Sequence, residues 1–66
     1  MSIQLNGEAR PLEPAATIAT LLHAEGLGER RVAVEVNGEI IPRGRHAEHR
    51  LRDGDKVEIV HALGGG

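Results

Sequence analysis

The sequence predicts a small α+β domain in which one helix lies across one face of a mixed sheet of about five short strands. Short runs alternate apolar and polar residues with the period of a half-buried strand. Two Asn-Gly pairs separate such runs, and a single stretch between them has helical spacing instead. With only 66 residues, the chain has room for one hydrophobic core.

The first hairpin is predicted around Asn6-Gly7. Residues 2–6 alternate, with Ile3 and Leu5 on the same side. An Asn-Gly pair between extended runs favours a tight turn, because both central residues of that turn need positive φ. Pro11 restricts the returning strand to a sheet edge or a bend.

The helix is predicted between Thr17 and Gly26, over about two to three turns. Its apolar positions recur at helical spacing: Ile18, Leu21 and Leu22. Thr17 is a suitable N-cap, since its hydroxyl can accept a hydrogen bond from a first-turn amide. Gly26 stands where a left-handed C-terminal cap belongs, and Leu27 is placed to pack back on Leu22. A lone helix of this kind must bury its stripe against the sheet.

Three more strands are predicted in the second half. Residues 32–36 alternate with their valines inward, and Asn37-Gly38 leads into a strand over 39–41 that Pro42 ends. Residues 43–50 are polar and could hold one short helical turn, with Leu51 as a buried anchor. A third turn at Asp53-Gly54 precedes the last strand, over 56–60.

Composition narrows the possible functions. The net charge is -2 and there is no Phe, Trp or Tyr, whereas single-stranded nucleic-acid binders combine a basic groove with aromatic stacking platforms. Nucleic acid is therefore not an expected partner. No apolar run approaches a membrane span, and the start of the chain lacks the pattern of a signal peptide. Together with the absence of cysteine, this predicts a cytoplasmic protein without membrane contact.

Residues 43–52 carry the remaining polar candidates. His46 and His49 are three apart, but zinc needs three or four protein ligands and no further ligand has suitable spacing, so we expect solvated histidines and no metal. The basic residues of this segment are Arg43, Arg45, Arg50 and Arg52. They predict either an ordinary solvated face or a patch that steers an acidic partner.

The ending "HALGGG" is the strongest functional candidate. We expect residues 1–60 to form the domain and residues 61–66 a flexible tail, which could also be a frayed end without function. Extended, six residues reach about 20 Å, enough to bring a terminal carboxylate into a partner's active site. Glycine allows close approach of another molecule. A carboxylate is a poor electrophile, so its use would require activation, for example as a mixed anhydride with AMP, followed by attack of sulfur.

The segments "TIATLL", "VAVEVNGEIIPR", "LRDGDKVEIVHA" and the final "GGG" together resemble the ThiS family, the sulfur carriers of thiamine biosynthesis. The resemblance covers essentially the whole chain. It implies a β-grasp, ubiquitin-like fold. It also implies that the chain is not an enzyme but a protein co-substrate that binds no cofactor or metal itself.

The resemblance further implies that Gly66 is adenylated by a ubiquitin-activating-like adenylyltransferase that uses ATP. Gly66 would then become a thiocarboxylate, with sulfur from a cysteine desulfurase relay, and thiazole synthase would accept that sulfur. The residues implied to enter these partners are Ala62, Leu63, Gly64 and Gly65. We expect the domain to dock through the exposed side of the sheet beside the last strand.

One departure from the family pattern and two alternative functions remain. Family members often carry a tryptophan near His46, and this chain has no aromatic residue there. A carrier of another pathway, like the small subunit of molybdopterin synthase, would share the glycine tail. A ubiquitin-like binding module with an inert tail would share the fold.

Overall fold

A computed structural model describes residues 1–61, and its elements follow the predicted order. They are β1 (Ser2–Leu5), β2 (Glu8–Pro11), α1 (Ile18–Ala24), β3 (Val32–Val36), β4 (Glu39–Ile41), a 3-10 turn (Arg43–Arg45) and β5 (Lys56–His61). The predicted α+β class, with five strands and one helix among the described residues, is confirmed.

The five strands form one mixed sheet in the order β2-β1-β5-β3-β4. The two hairpins contribute the outer pairs, β1 with β2 and β3 with β4, both antiparallel. β5 inserts between the hairpins, parallel to β1 and antiparallel to β3. Pro11 lies in the edge strand β2, as its missing N–H requires. The C-terminal strand is therefore the central one.

The core lies between α1 and one face of the sheet, and it is entirely aliphatic. Within residues 1–61, ten apolar residues are buried: Ile3, Leu5, Ile18, Leu21, Leu22, Val34, Val36, Leu51, Val57 and Ile59. β1, β3 and β5 contribute alternate residues, because successive side chains of a strand point to opposite faces, whereas the edge strands β2 and β4 contribute none of the ten. Leu51 is the buried anchor that the sequence predicted for the polar segment.

Local hydrogen bonds fix both ends of α1. The amide of Thr20 donates to Thr17 Oγ1 at 3.2 Å, and the amide of Thr17 donates to Thr20 Oγ1 at 2.8 Å, which makes a capping box. Gly26 has φ of 76°, and the amide of Leu27 donates to the carbonyl of Leu22 at 2.7 Å. These are the predicted N-cap and left-handed C-cap. Within residues 1–61, no helix is long and apolar enough for a membrane span.

The segment after β4 provides hydrogen-bond acceptors for the N-terminal end of α1. The amide of Ile18 donates to the carbonyl of His49 at 3.1 Å, and that of Ala19 donates to the carbonyl of His46 at 3.0 Å. First-turn amides have no partner inside their own helix, so these bonds satisfy groups that would otherwise need water. The bond from the Leu51 amide to the Ala16 carbonyl, 2.9 Å, completes the attachment.

Candidate functional site at the end of the central strand

The residues predicted to carry the chemistry lie beyond the described part of the chain: Ala62, Leu63, Gly64, Gly65 and Gly66. The structure does show the strand that leads to them. β5 continues through His61, which the sequence analysis had assigned to the tail, and His61 lies opposite Val32 of β3. The candidate site is therefore the C-terminal end of the central strand and its surroundings.

The two strands beside β5 pair with it over different lengths. β3 pairs with it over five residue pairs, from Val36 with Val57 to Val32 with His61. β1 pairs with it in only two, Gln4 with Lys56 and Leu5 with Val57, because β1 then turns away at Asn6-Gly7. Among residues 1–61, the last residues of β5 thus have a strand neighbour on one side only.

The Asn6 side chain hydrogen-bonds to β5 on the side where β1 has ended. Its Oδ1 accepts a hydrogen bond from the Ile59 amide at 2.8 Å, and its Nδ2 lies 3.5 Å from the Ile59 carbonyl oxygen. The turn asparagine of the second hairpin acts in the same way at the other end of β5, where Asn37 Oδ1 accepts from the Lys56 amide at 2.9 Å. The Asn-Gly pattern predicts the two turns but not these side-chain bonds to β5.

The Asp-Gly-Asp turn before β5 is held by its carboxylates. Asp53 Oδ1 accepts from the Ser2 amide at 2.7 Å. Asp55 accepts from the Arg52 amide at 2.8 Å and from Asn37 Nδ2 at 3.0 Å. Carboxylates that accept hydrogen bonds from backbone amides in this way stabilise the turn, so these residues fix where β5 begins.

Beside the end of β5, on the helix side of the sheet, lies a small cavity of about 200 Å³. Its lining includes Asn6, Arg10, Glu25 and His61. Arg10 Nη2 and Glu25 Oε1 form an ion pair at 3.3 Å. The cavity is smaller than the about 300–1,000 Å³ usual for small-molecule sites. The charges of Arg10 and Glu25 in its lining are paired with each other.

The opposite, outer face of the sheet exposes two large apolar side chains, Val60 at 59% and Ile40 at 58%. Between them Glu35 of β3 lies directly opposite Glu58 of β5, and Ile40 also pairs with Glu35. Like charges directly opposite on neighbouring strands are unfavourable for the isolated sheet. This outer face, beside the last strand, is the side of the sheet through which we expect the domain to dock.

The expectation for His46 was wrong. Its side chain is only 7% exposed, and its Nε2 lies 3.0 Å from the carbonyl oxygen of Ile41. The 3-10 turn folds the segment back against the core, so a ring that looks solvated in the sequence becomes buried. His49 is half-buried. Within residues 1–61, no three His, Cys, Asp or Glu side chains come together in a way that could hold a metal ion.

The four arginines of residues 43–52 are all exposed: Arg43, Arg45, Arg50 and Arg52. They are not gathered around one cavity. Arg43 lines the cavity next to His46, whereas Arg50 and Arg52 line another beside His49. A steering role for them stays a prediction.

The family model of the ThiS family matches residues 3–66, which is almost the whole chain. The chain belongs to the ThiS family. It is 43% identical to the sulfur carrier protein ThiS of Bacillus subtilis, over 97% of this chain and 98% of that protein. It superposes on the crystal structure of the thiamine biosynthesis protein ThiS from Geobacter metallireducens with a TM-score of 0.83 and 32% identity, over the full length of both.

This membership confirms the β-grasp fold: a mixed five-stranded sheet with one helix across it. A further relative is the thiazole synthase of Paramagnetospirillum magneticum, 44% identical over all of this chain. The chain spans only about 20% of the length of that relative.

Proposed function

We propose that this ThiS-family chain is a sulfur carrier for formation of the thiazole ring of thiamine, a protein co-substrate rather than an enzyme. The observation that carries the proposal is the match to the family over residues 3–66, which includes the glycines. The thiazole synthase relative contains a region similar to the whole chain, and this supports thiazole synthase as the acceptor of the sulfur.

The proposed chemistry takes place at the Gly66 carboxylate. An adenylyltransferase transfers AMP from ATP to a carboxylate oxygen, and pyrophosphate leaves. A persulfide from a cysteine desulfurase relay then attacks the acyl carbon, and AMP leaves. A partner thiol cleaves the resulting acyl disulfide, forms a disulfide with the relay cysteine, and a thiocarboxylate remains on Gly66. Because the α-carboxyl group is ionised at neutral pH, it has to be activated in this way before sulfur can attack. The chain has no cysteine that could intercept its own acyl adenylate.

Residues 62–66 are proposed to enter the partner while the domain stays outside. Five residues reach about 17 Å when extended, and the missing side chains of Gly64, Gly65 and Gly66 suit a narrow channel. Ala62 and Leu63 would contact the entrance. The outer face of the sheet is the proposed docking surface, supported by its exposed Val60 and Ile40.

Intact mass spectrometry tests this proposal. The protein is incubated with ATP, the cognate adenylyltransferase and a sulfur source, and we expect one oxygen to be replaced by one sulfur in the C-terminal peptide. A chain truncated before Gly65 keeps all described elements and should stay unmodified. An unchanged mass of the full chain after incubation would refute the proposal, and sulfur on the truncated chain would refute the assignment to Gly66.

The Gly66→Ala variant tests the narrow channel. Its added methyl group should block adenylation and leave the fold intact, which circular dichroism can check. Normal sulfur loading of this variant would argue against a channel that needs glycine.

A further inference from the structure

The hydrogen bonds between β1 and β5 advance by two residues at a time. The Gln4 amide donates to the Asp55 carbonyl at 2.9 Å, and the Asn6 amide donates to the Val57 carbonyl at 2.9 Å. In a parallel ladder the evenly spaced pattern would next join the Ile59 amide to the backbone carbonyl of Asn6. The position of that next bond follows from the register alone.

The first hairpin turn prevents this backbone bond. Asn6 and Gly7 have φ of 50° and 86°, so the chain leaves the ladder at Asn6. The Ile59 amide is satisfied by Asn6 Oδ1 at 2.8 Å instead. A side-chain amide carries one carbonyl acceptor and an NH₂ donor, so it can imitate the peptide unit that has turned away.

Asn37 provides an internal comparison. It has φ of 53°, precedes a glycine in the same type of position, and replaces its own carbonyl as acceptor for the Lys56 amide. However, Asn37 acts at the first residue of β5, whereas Asn6 acts near its last residues. The two asparagines therefore make equivalent bonds at opposite ends of one strand.

We propose that Asn6 is a positioning residue for the sulfur-loading end of the chain. It holds Ile59 on the side where β1 has ended, and so fixes the direction in which β5 leaves the sheet toward residue 62. Without this bond, residues 59–61 would keep a strand neighbour only in β3, as far as the described part of the chain extends. This inference rests on the proposed function, because it assigns Asn6 to the delivery of the Gly66 carboxylate. Small misplacements of a reacting group cost much of its rate.

Two glycine variants separate this role from general stability. Asn6→Gly and Asn37→Gly each remove one bond to a β5 amide and keep a residue that adopts positive φ without strain. By amide hydrogen exchange we expect Asn6→Gly to speed exchange at Ile59 by about three- to tenfold, the equivalent of one net hydrogen bond. Asn37→Gly should have this effect at Lys56 and leave Ile59 unchanged.

Steady-state kinetics with ATP and the cognate adenylyltransferase supply the functional readout. We expect Asn6→Gly to lower kcat for adenylation several-fold with little change in KM, because docking is intact while delivery is not. Asn37→Gly should keep the kcat of the wild type. Asn6→Asp should restore most of the loss, since Oδ1 remains and aspartate tolerates the left-handed region.

Equal kcat for Asn6→Gly and the wild type would overturn the positioning role, as would an equal loss in both glycine variants. Unchanged exchange at Ile59 in Asn6→Gly would overturn the hydrogen-bond argument itself. If the wild type takes up no AMP or sulfur, the carrier function fails instead. In that case the exchange result still decides whether Asn6 holds the end of β5.

Discussion

Ala15 adopts a left-handed backbone with φ of 69° in the loop before α1. The other non-glycine residues with positive φ within residues 1–61 are Asn6 and Asn37, whose side chains hydrogen-bond to the neighbouring strand. Alanine has no such polar group. The left-handed conformation costs an alanine about 1–2 kcal/mol, because its Cβ approaches the following carbonyl oxygen.

Ala15→Gly should therefore raise the free energy of unfolding by about 0.5–1 kcal/mol, the relief of strain less the larger backbone entropy of glycine. Urea denaturation measures the difference. Ala24→Gly, the same substitution in the right-handed last residue of α1, is the control and should lower stability. A loss of stability in both variants would contradict the argument.

At the scale of the helix, α1 has only seven residues, and such a short helix is not stable in isolation. Its ends are fixed by Thr17 and Gly26, and its apolar stripe packs on the sheet. The sequence signals for both caps were local and were read correctly. The hydrogen bonds from its first turn to the carbonyls of His46 and His49 were not predicted, because nothing in the local pattern marks a carbonyl about 30 residues away as an acceptor.

Gly26→Ala tests the C-terminal cap. A methyl group built on Gly26 would meet no atom within 4 Å, so its cost is conformational: about 0.5–1 kcal/mol of unfolding free energy, the strain of a left-handed alanine less the larger backbone entropy of glycine. Thermal or urea unfolding gives the value. The control is Gly44→Ala in the 3-10 turn, where the added methyl group also meets no atom within 4 Å and φ is not in the left-handed range. Similar losses at both sites would contradict a conformational cause.

At the scale of the whole molecule, the two faces of the sheet differ: one packs on the helix, and the other is the proposed docking surface. Its inner face holds the aliphatic core with α1, and its outer face presents Val60 and Ile40 around the opposed pair Glu35 and Glu58. Consecutive residues of β5 therefore lie on opposite faces of the sheet. Ile59 is buried and Val60 is exposed.

Val60→Ser should change the free energy of unfolding by no more than about 0.5 kcal/mol, as exposed substitutions usually do. If the outer face docks the adenylyltransferase, the same variant should raise KM for loading, measured by the mass assay at varied carrier concentration. Ile59→Ser, one residue earlier, should instead unfold the domain, since it places an unsatisfied hydroxyl in the core. An unchanged KM for Val60→Ser would contradict docking of the adenylyltransferase through the outer face at Val60.

By itself the sequence determined the strands, the single helix, its caps and the turns, because each depends on residues within a few positions of one another. Periodicity and the Asn-Gly pairs are sufficient for such local features. The sequence also carried the resemblance that the family match confirmed.

Only the tertiary structure decided the rest. It placed β5 between the two hairpins, buried His46 and gave Asn6 and Asn37 their hydrogen bonds to opposite ends of β5. The strand order and the burial of His46 depend on how distant segments pack together, and the asparagine bonds depend on which distant backbone groups lose a partner when a strand turns away. That condition arises only once the strands are assembled, since the unpaired amide of Ile59 lies 53 residues from the side chain that satisfies it.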